Sequence, residues 1–423
     1  MNHPLQSTVF KKENNLLVKA AETYGTPIYC YSKKRLEENT QRLNKAIKNY
    51  FPKNKIYYAV KANSNIHIIK LLKNSLKELG CDCSSPGELF AANKAGVDAK
   101  DCVYTGNYES KEDLKIAIDS NCEINLDDLS SFKRLKKIKI PEYISFRLNP
   151  GEGHGEFSGI VTGGKNSKFG IPSEKIGKAY LFAKNSGVKY FGLQCHAGSS
   201  TIEVSAFTNI VKLILKSAKE IESIINQRLD KISIGSGFGI PYRDHEKPLD
   251  LDSLFKNIQK LFFEYYNADE STWPTLCIEP GRIIVGDTGI IISKVTGIKK
   301  SYKNFVGLDA GMETLMRPAL YGAHHRLIKI DPDEQYNDIE LSGFYDVTGR
   351  ICENTDRIGE RVALPKINEN DLIAIMDVGA YGYSMSHQFN TRPRPPEVIL
   401  NENKITLIRK RETISDIFSG CDV

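Results

Sequence analysis

Short apolar runs of four to seven residues recur along the first two thirds of the chain, and between them apolar residues return every three or four positions. The runs are Ile56–Val60, Glu78–Cys83, Cys102–Thr105, Cys122–Leu126, Tyr143–Leu148, Tyr190–His196, Lys231–Gly235 and Leu276–Glu279. A run this short, followed by a helical period, reads as a buried strand followed by a helix. The clearest helix places Val204, Phe207, Val211, Ile214, Leu215, Ala218, Ile221 and Ile225 on one face, and an amphipathic helix at 33–50 precedes the first run. Repeated βα units build a parallel sheet. Eight of them over roughly 230 residues match a (β/α)8 TIM-like barrel, with a doubly wound open sheet as the competing arrangement.

Past Gly286 the helical period fades, and extended segments follow at Ile290–Val295, Phe305–Leu308, His325–Ile330, Ile339–Ser342, Leu372–Asp377 and Val398–Leu407. The expectation is an α/β protein with the barrel over residues 31–285 and a second, mainly β C-terminal domain over 286–423, joined by residues 1–30.

Composition narrows the function classes. The 423 residues are 40% hydrophobic and 26% charged, which supports two domains with full cores. The net charge of +6 comes from 58 basic and 52 acidic residues spread along the chain, so no nucleic-acid groove is expected. The densest basic stretch, Lys133–Lys139, carries Leu135 and Ile138 at helical spacing and reads as a solvated helix end. The first residues lack a secretory pattern and no window reaches the ~20 apolar residues that cross a bilayer, so a cytoplasmic location without membrane attachment is expected. Nine cysteines at irregular spacing fit a reduced compartment and no metal site.

In a barrel, chemistry gathers at the C-terminal ends of the strands. Lys61 follows the first run, with Tyr57–Val60 on its N-terminal side, where an amine can be partly desolvated as Schiff-base chemistry requires. The plainer reading is a surface lysine. The seventh run opens into Gly235, Ser236 and Gly237, a turn on which backbone N–H groups can approach a phosphate. The eighth opens into Glu279, Pro280, Gly281 and Arg282, and phosphate sites in such barrels often use the loops after these two strands. Glu279 offers a carboxylate beside that site, suited to holding a pyridinium nitrogen protonated. His196, closing the sixth run, could stack on a flat ring or be a satisfied core histidine.

Two stretches of the β domain carry further chemistry. Arg317 and Tyr321 lie four apart, and a guanidinium fork grips carboxylates. A cysteine thiol keeps its hydrogen near neutral pH as a rule, so Cys352 could donate a proton. A surface salt bridge and a small buried side chain are the respective simpler readings.

Together the motifs YAVKAN (58–63), KFGI (168–171), CHAGS (195–199), EPGR (279–282), RPALYG (317–322), ICEN (351–354) and GAYGYSM (379–385) resemble, in order, the diaminopimelate decarboxylase family. The segments YGTPIYCY (24–31) and RKRET (409–413) resemble its two ends. The resemblance implies pyridoxal 5'-phosphate bound in the barrel and decarboxylation of meso-2,6-diaminopimelate to L-lysine. It implies that Lys61 holds the cofactor, His196 stacks on its ring, Glu279 pairs with its nitrogen, and Gly235, Ser236, Gly237, Pro280, Gly281 and Arg282 bind it around the phosphate. Arg282, Arg317, Tyr321 and Glu353 would read the distal end of the substrate, Tyr381 would touch cofactor and substrate, and Cys352 would protonate the carbanion. It also implies a homodimer in which the cysteine loop enters the partner's site.

The chain departs from the pattern at Ser236, where a glycine is usual, at Gln194, where a histidine is frequent, and along 151–164. Alternatives are relatives acting on ornithine, arginine, carboxynorspermidine or a carrier-bound glutamyl group, and a non-catalytic cofactor-binding regulatory protein. Arg317 disfavours diamine-forming substrates, whose distal cation would face a guanidinium.

Overall fold

The computed structural model describes Phe10, residues 14–330 and residues 341–421. The chain divides into two compact units, one of Asn39–Pro241 with Lys247–Ile283, the other of Met1–Glu38, Tyr242–Glu246 and Ile284–Val423. Helix α1 (Asn14–Tyr24) and strand β1 (Ile28–Ser32) come first and lie in the second of these. Helix α2 (Lys33–Lys48) then leads into the barrel.

The eight apolar runs form eight parallel strands: β2 (Asn54–Ala59), β3 (Gly80–Cys83), β4 (Cys102–Thr105), β5 (Glu123–Leu126), β6 (Tyr143–Asn149), β7 (Tyr190–Cys195), β8 (Lys231–Ser233) and β9 (Thr275–Ile278). Each pairs with the next, β9 pairs with β2, and Asn125↔Ser145 and Leu126↔Phe146 join β5 to β6. The cylinder is therefore closed, and the open-sheet arrangement is ruled out. Strands covered on both faces have no solvent side to mark with polar residues, which is why they read as unbroken apolar runs.

Between them lie α3 (Ile66–Ser75), α4 (Pro86–Lys94), α5 (Lys111–Asp119), α6 (Leu129–Leu135), α7 (Ser173–Asn185), α8 (Val204–Ile225) and α9 (Leu251–Tyr266). Local chemistry sets their ends. Ser85 caps α4 by accepting from the Glu88 N–H with Pro86 in the first turn, and α8 stops at Asn226 in a left-handed conformation. The α8 stripe buries Ile210, Val211, Ile214, Leu215, Ala218, Ile221 and Ile225. Each fully buried aliphatic chain there contributes about 1.5–3 kcal/mol. Leu215→Ala alone should cost about 2–5 kcal/mol.

The second unit is a nine-stranded sheet of mixed direction. Its long strand β10 (Gly289–Lys300) pairs antiparallel with β1 (Ile28↔Ile292), then bends at an irregularity between Val295 and Gly297 to pair with β11 (Asn304–Leu308). Strands β12 (Leu327–Ile330), β13 (Gly343–Thr348), β14 (Arg357–Leu364) and β15 (Leu372–Ile375) complete it with β16 (Glu397–Asn401) and β17 (Lys404–Arg409). Ile28, Cys30, Ile290, Ile292, Val398 and Leu400 sit together in its core.

Three expectations change here. Val398–Leu407 is a hairpin of two strands, not one segment, with Glu402 in the left-handed region at the turn (φ 52°). His325 lies before β12 rather than within it. The run at 339–342 begins outside the described residues, and its visible part, Leu341 and Ser342, precedes β13 as irregular chain. Among the described residues no helix is long and apolar enough to cross a membrane.

Candidate active site

Lys61 sits in a short turn, Val60–Ala62, directly after β2. Its Nζ lies 2.5 Å from Oδ2 of Asp82, which is fully buried on the neighbouring strand, while the Lys61 side chain is 41% exposed. Ala59 and Asp82 face each other in the β2–β3 register, so the pair stands at adjacent strand ends. The other carboxylate oxygen, Asp82 Oδ1, is buried and accepts no hydrogen bond among the described residues. Glu88 in the first turn of α4 accepts from the Ser84 N–H at 2.7 Å, and burial raises its pKa while the Lys61 charge lowers it. Neither carboxyl was expected from sequence. The strand-end rule would have found Asp82 had it been applied to Cys81-Asp82-Cys83, where the two flanking thiols are buried and Asp82 alternates to the opposite face.

Glu279, one residue past β9, is only 5% exposed. Ser233 Oγ donates to its Oε1 at 2.6 Å and Gln194 Nε2 donates to its Oε2 at 2.8 Å. Burial, and then the Asp82 charge, push its pKa up to about 7 against the hydrogen bonds and the Lys61 charge. A carboxyl so placed gains by meeting a cationic N–H that replaces the lost water. Gln194 therefore supports Glu279 with an uncharged amide.

His196 follows β7, and burial first, then the Arg147 and Lys61 charges, hold its pKa well below the ordinary value, so the ring is neutral. Its Nδ1 accepts from the Ser236 N–H at 3.3 Å, which ties the imidazole to the glycine-rich turn. Its carbonyl accepts from Arg147 Nη2 at 3.0 Å and Thr162 Oγ1 at 2.8 Å, and the Arg147 guanidinium lies 4.3 Å from the centre of the Phe169 ring. The unusual segment 151–164 thus reaches the histidine. It also pairs with the following loop through His154↔Gly198 and Gly155↔Ser199.

Gly235 and Gly237 both have positive φ, 63° and 80°. A Cβ on Gly235 would lie 2.5 Å from the Cys195 carbonyl oxygen, and one on Gly237 would lie 2.3 Å from that of Gly198. Only glycine lets this turn fold onto the loop after β7. The Ser236 hydroxyl accepts from the Phe238 N–H at 3.3 Å, a turn-stabilising role beside the phosphate contact proposed for it from sequence. Pro280 accepts from the Ala59 N–H at 3.0 Å, and a Cβ on Gly281 would lie 2.8 Å from that of Ala62, which places this loop against the Lys61 turn. Arg282 donates from Nη2 to Ser199 Oγ at 3.3 Å. The barrel thus brings together the amine, the shielded carboxyl, the neutral imidazole and the glycine turn. This donor set suits pyridoxal phosphate: an amine for its aldehyde, a carboxyl short of solvent for its ring nitrogen, and backbone for its phosphate.

The other expected residues belong to the β-rich unit. Arg317 opens α10 (Arg317–Tyr321) and is 2% exposed. Its Nη1 lies 2.9 Å from His325 Nε2, and His325 Nδ1 lies 2.8 Å from the Met376 carbonyl. A carbonyl cannot donate, so Nδ1 carries the hydrogen and Nε2 accepts from the arginine. The guanidinium also lies 4.7 Å from the centre of the Tyr242 ring. Tyr321 ends α10 half-buried, and Tyr381 is held in the left-handed region (φ 58°), a conformation that costs a tyrosine energy and concentrates at functional sites. Cys352 and Glu353 are exposed on the loop between β13 and β14. That loop hangs on Asp356, which accepts from the Met312 N–H at 2.6 Å and the Ile351 N–H at 2.7 Å, and Glu353 lines a cleft of about 490 Å³ beside it. Tyr242, His325 and Asn390, which touches Cys352, had no local signal in the sequence.

A family model described as the pyridoxal-dependent decarboxylase, pyridoxal binding domain, matches residues 36–286. The diaminopimelate decarboxylase of Methanothermobacter thermautotrophicus is 38% identical over 408 residues, covering 96% of this chain and 94% of that protein. The crystal structure of diaminopimelate decarboxylase from Helicobacter pylori complexed with L-lysine is 32% identical, with a TM-score of 0.86 over 95% of this chain and 98% of that one. The M. jannaschii enzyme of the same name in co-complex with L-lysine is 30% identical, with a TM-score of 0.87 over 96% of this chain and 94% of that one.

Proposed function

On the premise that the chain belongs to the diaminopimelate decarboxylase family of pyridoxal-dependent decarboxylases, we propose that it removes carbon dioxide from meso-2,6-diaminopimelate and releases L-lysine. The observation that carries this reading is that the ends of the barrel strands hold both the Lys61 amine, paired with the buried Asp82, and a buried Glu279 fixed by Gln194 and Ser233.

Pyridoxal 5'-phosphate, when bound, would supply an electron sink for the pair of electrons left on carbon as the bond to the carboxylate breaks and carbon dioxide departs. Lys61 holds its aldehyde carbon, and Asp82 keeps the amine of Lys61 at the strand end in the cofactor-free protein. Glu279 holds a proton at the ring nitrogen, aided by Gln194 and Ser233, which keep both its oxygens in place. His196 would stack on the cofactor ring, neutral and so adding no charge that would compete with the sink. Gly235, Ser236 and Gly237 with Pro280, Gly281 and Arg282 hold the phosphate end. Arg317 and Tyr321 take the distal carboxylate, with Glu353 on the distal ammonium and Tyr381 bordering the reacting end. Cys352 places a proton on the carbon that has lost its carboxylate.

The active unit is a homodimer in which the Cys352 loop of one chain serves Lys61 of the other, and the protein works in the cytoplasm. Residues 31–285 form the cofactor-binding barrel, with Arg282 also facing the distal end of the substrate, and 286–423, joined by 1–30, form the β domain that carries Arg317, Tyr321, Glu353 and Tyr381. The test is carbon dioxide release from meso-diaminopimelate, ornithine, arginine and carboxynorspermidine, each offered to purified protein with pyridoxal phosphate. Release from diaminopimelate alone is expected, and a preference for any of the other three would overturn the assignment.

A further inference from the structure

Cys352 is held from one direction by a single side chain. The carbonyl oxygen of Asn390 accepts from the Cys352 backbone N–H at 3.0 Å, and its amide nitrogen Nδ2 lies 3.1 Å from Cys352 Sγ. The amide orientation follows from the chemistry, because a backbone N–H can meet only the oxygen end. The NH2 end must then donate to sulfur, so Sγ is an acceptor in this contact and its own S–H hydrogen points away from Asn390. The backbone is strained to make this grip. Asn390 and Thr391 both have φ of 55°, and for a β-branched residue such as Thr391 the left-handed region is an outlier that persists only where surroundings impose it.

We propose that Asn390 is a positioning residue that aims the Cys352 thiol and sets its reactivity, so that the S–H is presented outward for proton delivery. This rests on the reading of Cys352 as the proton donor, but the grip itself can be measured apart from that reading. A hydrogen bond donated to sulfur favours the thiolate, which is the form that reacts with alkylating agents. Asn390→Asp keeps the size and the acceptor for the Cys352 N–H but puts a carboxylate where the donor was.

The experiment labels the full-length, cofactor-loaded protein with iodoacetamide and counts modified peptides by mass spectrometry, with Cys421, also exposed, as the reference thiol in the same chain. In Asn390→Asp, labelling of Cys352 relative to Cys421 should fall about tenfold, the scale of one charge-assisted hydrogen bond. The kcat should fall with KM for diaminopimelate unchanged. Asn390→Gly, which relieves the left-handed backbone while removing the side chain, should lose kcat likewise and keep its melting temperature, which separates aiming from folding. Added to Cys352→Ala, Asn390→Asp should slow the enzyme no further. Unchanged Cys352 labelling in Asn390→Asp, or a further loss on top of Cys352→Ala, overturns the proposal. Full kcat in Cys352→Ala alone would instead remove the donor reading and leave the labelling to decide the grip.

Discussion

Glu279→Gln tests the electrostatics of the barrel mouth without reference to turnover. The carboxyl is pushed from the ordinary 4.5 up to about 7, chiefly by burial and next by Asp82. In the folded, cofactor-free protein it therefore keeps its proton up to about neutral pH, whereas in the unfolded chain it releases it near 4.5. Between those values the folded state binds more protons, so stability falls as pH rises through the window and the loss is complete just above pH 7. At 1.36 kcal/mol per pKa unit the loss comes to about 3 kcal/mol. Glutamine has the same shape and no proton to lose, so the variant lacks this term. The assay is urea unfolding of both cofactor-free proteins from pH 4 to pH 8, reading the difference between them. Other groups that titrate in this range, such as Asp377, pushed up to about 6 by burial, largely cancel in that difference. The variant should gain about 3 kcal/mol on the wild type between the two ends. A difference flat across that range would refute the argument that Glu279 is held out of water against its charge.

The remaining predictions concern individual contacts. Borohydride treatment of the yellow, cofactor-loaded protein should fix the label on Lys61, and a label on any other lysine would move the site. Arg317→Met should weaken diaminopimelate binding by roughly 2–5 kcal/mol while sparing the cofactor; equal loss of both would argue against the role. Gly237→Ala forces an L-residue to φ 80° with its Cβ 2.3 Å from a backbone oxygen, so pyridoxal phosphate should dissociate faster, as seen by dialysis and absorbance. Lys61→Ala and Cys352→Ala homodimers should each be nearly inactive, yet exchange of their subunits should restore about a quarter of wild-type activity, since half the dimers then carry one intact site. A dead mixture in which mass spectrometry finds heterodimers would place the cysteine in its own chain's site.

The barrel could be read from the chain because each strand is covered on both faces and announces itself as a short apolar run. Strands β13 and β14 gave no such signal. Gly343–Thr348 and Arg357–Leu364 are largely half-buried or exposed, carry charges, and are interrupted by register shifts. The β16–β17 hairpin was fused into one segment because its turn is only Glu402 and Asn403 between two apolar runs. In the site, position marks Lys61, His196 and Glu279 only as residues at strand ends, and on position alone Lys61 reads as a surface lysine and His196 as a core histidine; it is the family motifs around them that single them out. Their supports carry no such mark. Gln194 and Ser233 meet Glu279 from two other strands, and His325 finds Arg317 through a fold that joins it to Met376. Such residues are ordinary in their own neighbourhood and acquire a role only through contacts made across long stretches of chain.

Strand β1 has a consequence for how the polypeptide is made. Its neighbours in the sheet are residues 289–292 on one side and 397–400 on the other, so it is a central strand whose partners are translated long after it. At about 5–20 residues per second, the ribosome needs on the order of tens of seconds to reach the first of them. Throughout that interval Ile28–Ser32, every residue of which is buried in the finished protein, has neither of its sheet neighbours. The whole barrel can be completed while it waits. A nascent-chain chaperone that shields apolar extended segments would find its target here, and a lesion in these five residues would be felt as misfolding of the late-synthesised third of the molecule.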